Sequence, residues 1–115
     1  MKENPILVKS YNFSVIAVRY CLAMQAEKKE FVISRQLLKS ATSIGANVEE
    51  AQSAVSKAEF IVKLQISLKE AKETKYWLRL IKDAEVFASE KTEALLKDCN
   101  ELIVLLTSIL KTSKS

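Results

Sequence analysis

Residues 34–51 read SRQLLKSATSIGANVEEA, and their repeat as an amphipathic helix is the strongest indication of the fold. Its apolar residues recur at the three- and four-residue steps that are typical of a buried helical stripe. They are Leu37, Leu38, Ala41, Ile44, Val48 and Ala51. The polar residues Ser40, Thr42 and Asn47 are expected elsewhere on the helical wheel.

Gly45, the only glycine of the chain, lies in the middle of this helix. A glycine inside a helix costs roughly 1 kcal/mol relative to alanine. Close backbone approach by a neighbouring helix is the usual reason for such a residue, and Ala41, Ser43 and Ala46 are small as well. We therefore predict a tight helix–helix contact at Gly45.

The remainder of the chain also predicts helices. With one proline and one glycine in 115 residues, there is very little turn or strand chemistry. We expect a single domain over residues 1–115 that is all-α, an antiparallel up-down-up-down four-helix bundle. The first helix is predicted from Pro5 to about Ala26, with Asn4 as its cap, and the second from near Ser34 to near Ser53. The third is predicted from a capping box at Ser56 and Glu59 to about Asp83, and the last is predicted to be capped by Ser89. Residues 111–115 are expected to fray, and Phe87 to tuck against the end of the bundle.

The composition excludes several classes of protein. The chain is 49% hydrophobic and has a net charge of +4. This composition is typical of neither a disordered protein nor a membrane protein. The uncharged run Leu102–Leu110 is about half as long as a bilayer-spanning helix needs to be. These features predict a cytoplasmic protein with no membrane partner.

The sequence offers no catalytic or metal-binding constellation, so we predict no enzyme activity, cofactor or metal. There is no histidine to complete a zinc or di-iron site, and Cys21 and Cys99 are expected to be reduced, buried core thiols. Adjacent Glu49 and Glu50 point about 100° apart on a helix, which is poor geometry for sharing a metal. A ligand-binding bundle would need a pocket near Gly45, Asn47 and Thr74, and no small-molecule substrate is expected.

The third helix has apolar residues on two faces. Its core-facing stripe is predicted to hold Phe60, Leu64, Ser67, Ala71, Thr74, Leu78 and Ile81. A second apolar cluster lies opposite, where a monomeric bundle would be wet. We predict that this cluster is an oligomer interface, formed by Val62, Ile66, Tyr76, Trp77 and Leu80.

Basic residues follow one edge of the same helix. Lys69, Lys72 and Arg79 are the candidate nucleic-acid-binding residues, because such a ridge can neutralise phosphates. Glu59, Glu70 and Glu73 are expected toward the opposite edge. An ordinary solvated helix face is the alternative for a single chain.

Two motifs carry a resemblance to a known bacterial family. Ser43-Ile-Gly-Ala-Asn47 and Lys69-Glu-Ala-x-Glu-Thr-x-Tyr-Trp-Leu78 make residues 35–81 similar to the 23S rRNA intervening-sequence proteins, also called four helix bundle proteins. Many members have glycine where this chain has Ala41, which bears on how tight that contact is.

The resemblance implies a homopentamer, and an RNA-associated accessory or scaffold role with RNA or a reverse transcriptase as partner. The second of these partners is suggested by the similar accessory protein of diversity-generating retroelements. The alternative is a protein-interaction module that recruits a polypeptide through Val62, Ile66 and Trp77, without direct nucleic-acid binding.

Overall fold

The computed structural model describes residues 4–87 and 90–114. Over these residues the chain is helical with no strand, which confirms the all-α prediction. Each helix packs against the next, and the last packs against the first, so the bundle is up-down-up-down. The helices are α1 (Pro5–Lys28), α2 (Val32–Gln52), α3 (Lys57–Asp83) and α4 (Glu90–Lys114).

Local capping explains where α1 and α3 begin. Asn4 caps α1, with Pro5 at its first position, and α1 continues two residues beyond the expected end at Ala26 to reach Lys28. Ser56 caps α3, and its hydroxyl accepts the backbone N–H of Glu59 at 3.1 Å. The predicted Ser89 cap of α4 lies outside the described residues.

The predicted start of α2 near Ser34 was wrong by two residues, because an acidic cap lies upstream. The Glu30 carboxylate accepts backbone N–H groups of Val32 at 3.0 Å, Ile33 at 3.1 Å and Ser34 at 2.8 Å. Burial acts to raise the pKa of Glu30, but these hydrogen bonds together hold it below its usual value. The first turn of α2 therefore begins at Val32.

The C-terminal end of α4 differs from the expectation, whereas the packing of Phe87 before α4 agrees with it. The helix continues to Lys114, through most of the segment expected to fray. Phe87 packs on the end of the bundle as predicted, with its ring 5.3 Å from that of buried Tyr20. Its carbonyl oxygen accepts a hydrogen bond from the Thr92 hydroxyl at 3.0 Å.

The core runs the length of the bundle and contains the predicted apolar stripes. It also contains Ser40, which is fully buried, so the expectation that Ser40 faces away from the core was wrong. Its hydroxyl lies 2.9 Å from that of Thr74 on α3, and this contact lets a polar residue occupy the seam. Cys21 and Cys99 are both fully buried free thiols.

The α1 helix is apolar beyond what the core requires. Within the described residues it is the one helix long and apolar enough to cross a membrane, by length and composition only. Core helices of soluble bundles pass the same test, and 33% of its most apolar stretch is buried here.

Candidate functional surface on α3 and α4

The α3 helix carries two rows of residues with the same heptad spacing on opposite sides. The inner row faces the other helices and consists of Phe60, Leu64, Ser67, Ala71, Thr74, Leu78 and Ile81, all buried except half-buried Phe60. The outer row begins two residues later, which turns it by about 200°. It consists of Val62, Ile66, Lys69, Glu73, Tyr76 and Leu80.

The five residues predicted as an interface have two kinds of environment. Val62, Ile66 and Tyr76 are exposed, with 50%, 37% and 53% of their surface accessible. Trp77 and Leu80 are half-buried, and Trp77 packs against the core. The exposed members are thus the ones available to a partner.

Trp77 is held in place within its own helix. Its indole Nε1 donates to the Glu73 carboxylate at 3.1 Å, and its ring meets the edge of Tyr76 with centroids 5.0 Å apart. Because the indole is half-buried and hydrogen-bonded within its own helix, Tyr76 is the aromatic residue that projects from the outer row.

Lysines from two helices line a groove between α3 and α4, hereafter the lysine groove. Lys69 and Lys72 of the predicted ridge lie in it beside Lys111 and Lys114 of α4. Its remaining lining is uncharged: Gln65, Leu68, Thr107 and Leu110. The α4 lysines were missed from the sequence, because no spacing rule relates residues on different helices.

Arg79 lies apart from this groove. It lines a neighbouring depression over α4, together with Lys75, Lys97 and two acids, Glu93 and Glu101. Glu93 also pairs with Lys82 at 2.7 Å. The predicted trio is therefore split, with Lys69 and Lys72 in an all-basic groove and Arg79 in a mixed one.

Acids collect on the other side of α3, toward α2. Glu50 pairs with Lys63 at 3.0 Å across this edge. Burial, followed by the nearby Glu73 carboxylate, raises the pKa of Glu70. The two edges of α3 therefore differ in sign, and the positive edge is the one shared with α4.

Gly45 lies in a tight contact with α1. A Cβ added there would be 3.1 Å from the Ser14 hydroxyl oxygen and 3.2 Å from the Ser10 carbonyl oxygen. The polar groups nearby are already engaged. Asn47 donates to the Ser43 carbonyl at 2.8 Å, and the Thr74 hydroxyl lies 2.8 Å from the Glu70 carbonyl.

The thiols and acids form no obvious reactive centre. Burial raises the pKa of both Cys21 and Cys99 to about 12, so both are thiols at neutral pH. The Cys99 thiol donates to the Ala71 carbonyl at 3.2 Å. Across residues 4–87 and 90–114, no three His, Cys, Asp or Glu side chains are grouped so that they could hold a metal ion.

Comparison with known proteins identifies a family and a solved structure of similar fold. The sequence matches the family described as 23S rRNA-intervening sequence protein over residues 2–108. The fold is similar to a 1.70 Å crystal structure of a protein with unknown function from the S23 ribosomal protein family of Bacteroides thetaiotaomicron. The two share 47% sequence identity with a TM-score of 0.89, over 92% of this chain and 98% of that one. No curated protein matches the chain.

Proposed function

The chain belongs to the 23S rRNA-intervening sequence protein family, and from this premise we propose that it is a non-enzymatic accessory or scaffold protein that binds RNA. The binding surface is the lysine groove. Self-association, with five subunits as the resemblance implies, is the second part of the proposal. Its site of action is the cytoplasm, where ribosomal RNA is found.

The observation that carries the RNA proposal is the convergence of four lysines from two helices. Lys69, Lys72, Lys111 and Lys114 line one groove whose described lining includes no carboxylate. Lysine ammonium groups bind phosphates as point charges, and neutralising phosphates releases the counterions condensed on the nucleic acid. Such a surface binds the backbone and does not read base sequence.

Self-association increases the effect of a small groove. One groove offers only a few phosphate contacts, but a ring repeats it once per subunit. A single RNA that reaches several grooves binds much more tightly than one groove would, because later contacts are intramolecular. The exposed Val62, Ile66 and Tyr76 support self-association.

The test is charge reversal in the groove. We expect Lys72→Glu with Lys114→Glu to raise the Kd for labelled oligouridine at least tenfold, measured by fluorescence anisotropy. The slope of log Kd against log salt should fall by about 1.4, which corresponds to two lost contacts with single-stranded RNA.

The matched control is Lys28→Glu with Lys29→Glu, the last residue of α1 and the residue that follows it. It makes the same change in net charge, and both residues are exposed. Equal weakening of RNA binding by both pairs would show that only the net charge matters, and would refute the lysine groove as the binding surface. Binding that does not respond to salt would refute the RNA proposal altogether.

A protein-interaction module is the second candidate function, favoured by exposed apolar side chains at Val62 and Ile66. In that case the groove substitutions would leave capture of a polypeptide partner unchanged. Arginine at Val62 and Ile66 would abolish it.

A further inference from the structure

The α1 helix has an outward apolar row that the fold does not use. The row repeats with heptad spacing and consists of Val8, Tyr11, Val15, Val18 and Leu22. Tyr11 is 60% exposed, Leu22 54% and Val8 39%, while the two central valines are half-buried. Five uncharged side chains in line on one helix form a surface that a soluble monomer does not normally leave in water.

The core leaves this row unsatisfied because α1 uses its other side. Phe13, Ala17 and Met24 fill the bundle and are fully buried or nearly so. The outward row lies about half a helical turn away from them. The resulting surface resembles the seam of a coiled coil, in which apolar residues repeat every 3.5 residues on average.

Contacts through α2 fix the height of this row relative to the outer row of α3. Gly45 on α2 lies against Ser10 and Ser14 of α1. Its neighbour Ile44 accepts a hydrogen bond from the Ser67 hydroxyl of α3 at 2.8 Å. Residues 10–14 of α1 and Ser67 of α3 are therefore at the same level along the bundle.

The two rows match in register and in direction. Both α1 and α3 run antiparallel to α2, so they are parallel to each other. Counting outward from the common level places Val8 level with Val62, Tyr11 level with Ile66, and Leu22 level with Tyr76. Exposed apolar residues toward the two ends of one row thus lie at the same heights along the bundle as exposed apolar residues of the other row.

We infer that the outward row of α1 binds the outer row of α3 of a second copy, in a parallel, heterologous contact. This inference rests on the proposed self-association and names its two surfaces. The α1 and α3 helices occupy opposite corners of the bundle, so each subunit gives one row to each of two neighbours. A contact of this kind repeats, and closes into a ring when the rotation between subunits allows it.

Charges at the middle of the contact agree with this pairing. Glu73 of the outer row is level with Arg19, an exposed residue at the edge of the α1 row. Lys69 of the outer row also lines the lysine groove, and the aliphatic stem of a lysine can cover apolar surface while its ammonium group stays in water. The same chain thus supplies an apolar row, a matching row and a complementary charge.

The pairing leaves α4 uncovered. Lys72 and Lys114 remain accessible in the assembly, and the lysine groove recurs at each subunit. The oligomer contact and the RNA surface can therefore be disrupted separately.

The test uses two blocked variants and their mixture. The α1-blocked variant carries Tyr11→Arg and Leu22→Arg, and the α3-blocked variant carries Ile66→Arg and Tyr76→Arg. Each should be monomeric by native mass spectrometry and light scattering. Their mixture should give a one-to-one heterodimer that grows no further, because one intact row of each kind remains.

Val104→Arg is the matched control. Val104 is an exposed valine, 69% accessible, on α4 and outside both rows, so this variant should assemble as the wild type does. Unchanged far-UV circular dichroism of the blocked variants would establish that they are folded.

The outcomes separate this inference from the proposed function. A monomeric wild type would refute the self-association itself. An oligomeric wild type with an equally oligomeric α1-blocked variant would refute only the α1 row. Two monomeric variants that fail to form a heterodimer would refute the heterologous pairing, because the mixture still offers one intact row of each kind. Blocked variants that each form homodimers would refute it as well, because like rows would then be meeting like.

Lipid is the other occupant that an apolar row could have. Flotation of the wild type with phosphatidylcholine vesicles, lost in the α1-blocked variant, would assign the row to a membrane surface and overturn the inference. We expect no flotation.

A charge exchange gives a finer test that a merely structural role would not pass. Arg19→Glu, added to the α3-blocked variant, should weaken the heterodimer about two- to fivefold, the range for an exposed ion pair. Glu73→Arg, added to the α1-blocked variant, should restore the affinity, and a double-mutant cycle measures the coupling between the two residues. Zero coupling would contradict the stated register.

Discussion

The two rows of α3 lie on the same helix with the same spacing, but the inner row is buried and the outer row is largely exposed. Leu64, Leu78 and Ile81 of the inner row are at most 1% exposed. The outer row keeps Val62 and Tyr76 half in solvent. Periodicity therefore identifies a row of apolar residues, but it does not say whether the bundle buries that row.

The middle of each row shows how they differ chemically. The inner row narrows to Ser67, Ala71 and Thr74, whose small side chains admit a close neighbour. The hydroxyl of Ser67 is satisfied across the seam by the Ile44 carbonyl. The outer row has Lys69 and Glu73 at the same place, and charges of this kind must keep contact with water or with an opposite charge. A buried row requires close packing, whereas a row at the surface can be polar at its centre.

The largest expected effect is the difference in the free energy of unfolding between a substitution in the inner row and one in the outer row. Leu78→Ala, in the inner row, should lower the free energy of unfolding by about 2–5 kcal/mol, because it leaves a cavity. Leu80→Ala, two residues away and half-buried, should cost much less. Urea denaturation at one fixed protein concentration measures both. Equal losses would show that the outer row is as tightly packed as the inner one.

The next effect tests how closely the interior is packed at Gly45. Gly45→Ala gains about 1 kcal/mol of helix propensity. The new Cβ would press on the Ser10 backbone of α1, and such overpacking costs about 1–3 kcal/mol. We expect a net loss of about 1 kcal/mol by urea denaturation.

The control for this position is Ala46→Gly, on the exposed side of the same helix. It should also destabilise, by about 1 kcal/mol, for the opposite reason of lost propensity. Stabilisation by Gly45→Ala would show that the contact between α1 and α2 can open without cost.

The smallest expected effect is at Glu30, and it tests whether a carboxylate at the surface stabilises the fold as interior packing does. Glu30→Gln removes the negative charge but keeps an oxygen that can accept the first N–H groups of α2, and should cost about 0.5 kcal/mol at neutral pH. Because the pKa of Glu30 is lowered by folding, its contribution is present above the unfolded pKa and is lost as pH falls through the folded pKa.

Thermal unfolding of both proteins across the acid range measures this contribution. The stabilities of the wild type and the glutamine variant should become equal at pH values below the usual carboxyl pKa, which is about 4. The cost of Leu78→Ala contains no titration of its own site and should persist there. A constant gap between wild type and Glu30→Gln would show that the charge is not what stabilises the cap.

Sequence reasoning located α3 and its two faces correctly, because heptad spacing and a serine cap are local signals. It misplaced the start of α2, since a glutamate two residues before the helix serves as the cap. It also misassigned Ser40, because a serine looks like a surface residue until Thr74 is found beside it. These differences arise where one element is completed by another.

The candidate surface divides in the same way. Lys69 and Lys72 were predicted from their spacing along α3, whereas Lys111 and Lys114 could join them only after α4 had packed alongside. The outward row of α1 was overlooked, because its apolar residues also fit a core stripe by composition. Burial alone distinguishes the two sides of that helix.

Sequence alone sufficed for the number of helices, their amphipathic rows and the membership in the family, because these depend on residues close together in the chain. The tertiary structure decided which rows are buried, which lysines share a groove, and that the rows of α1 and α3 lie level with each other. The physical reason is that burial and register result from contacts between distant residues, and only the packed bundle brings those residues together.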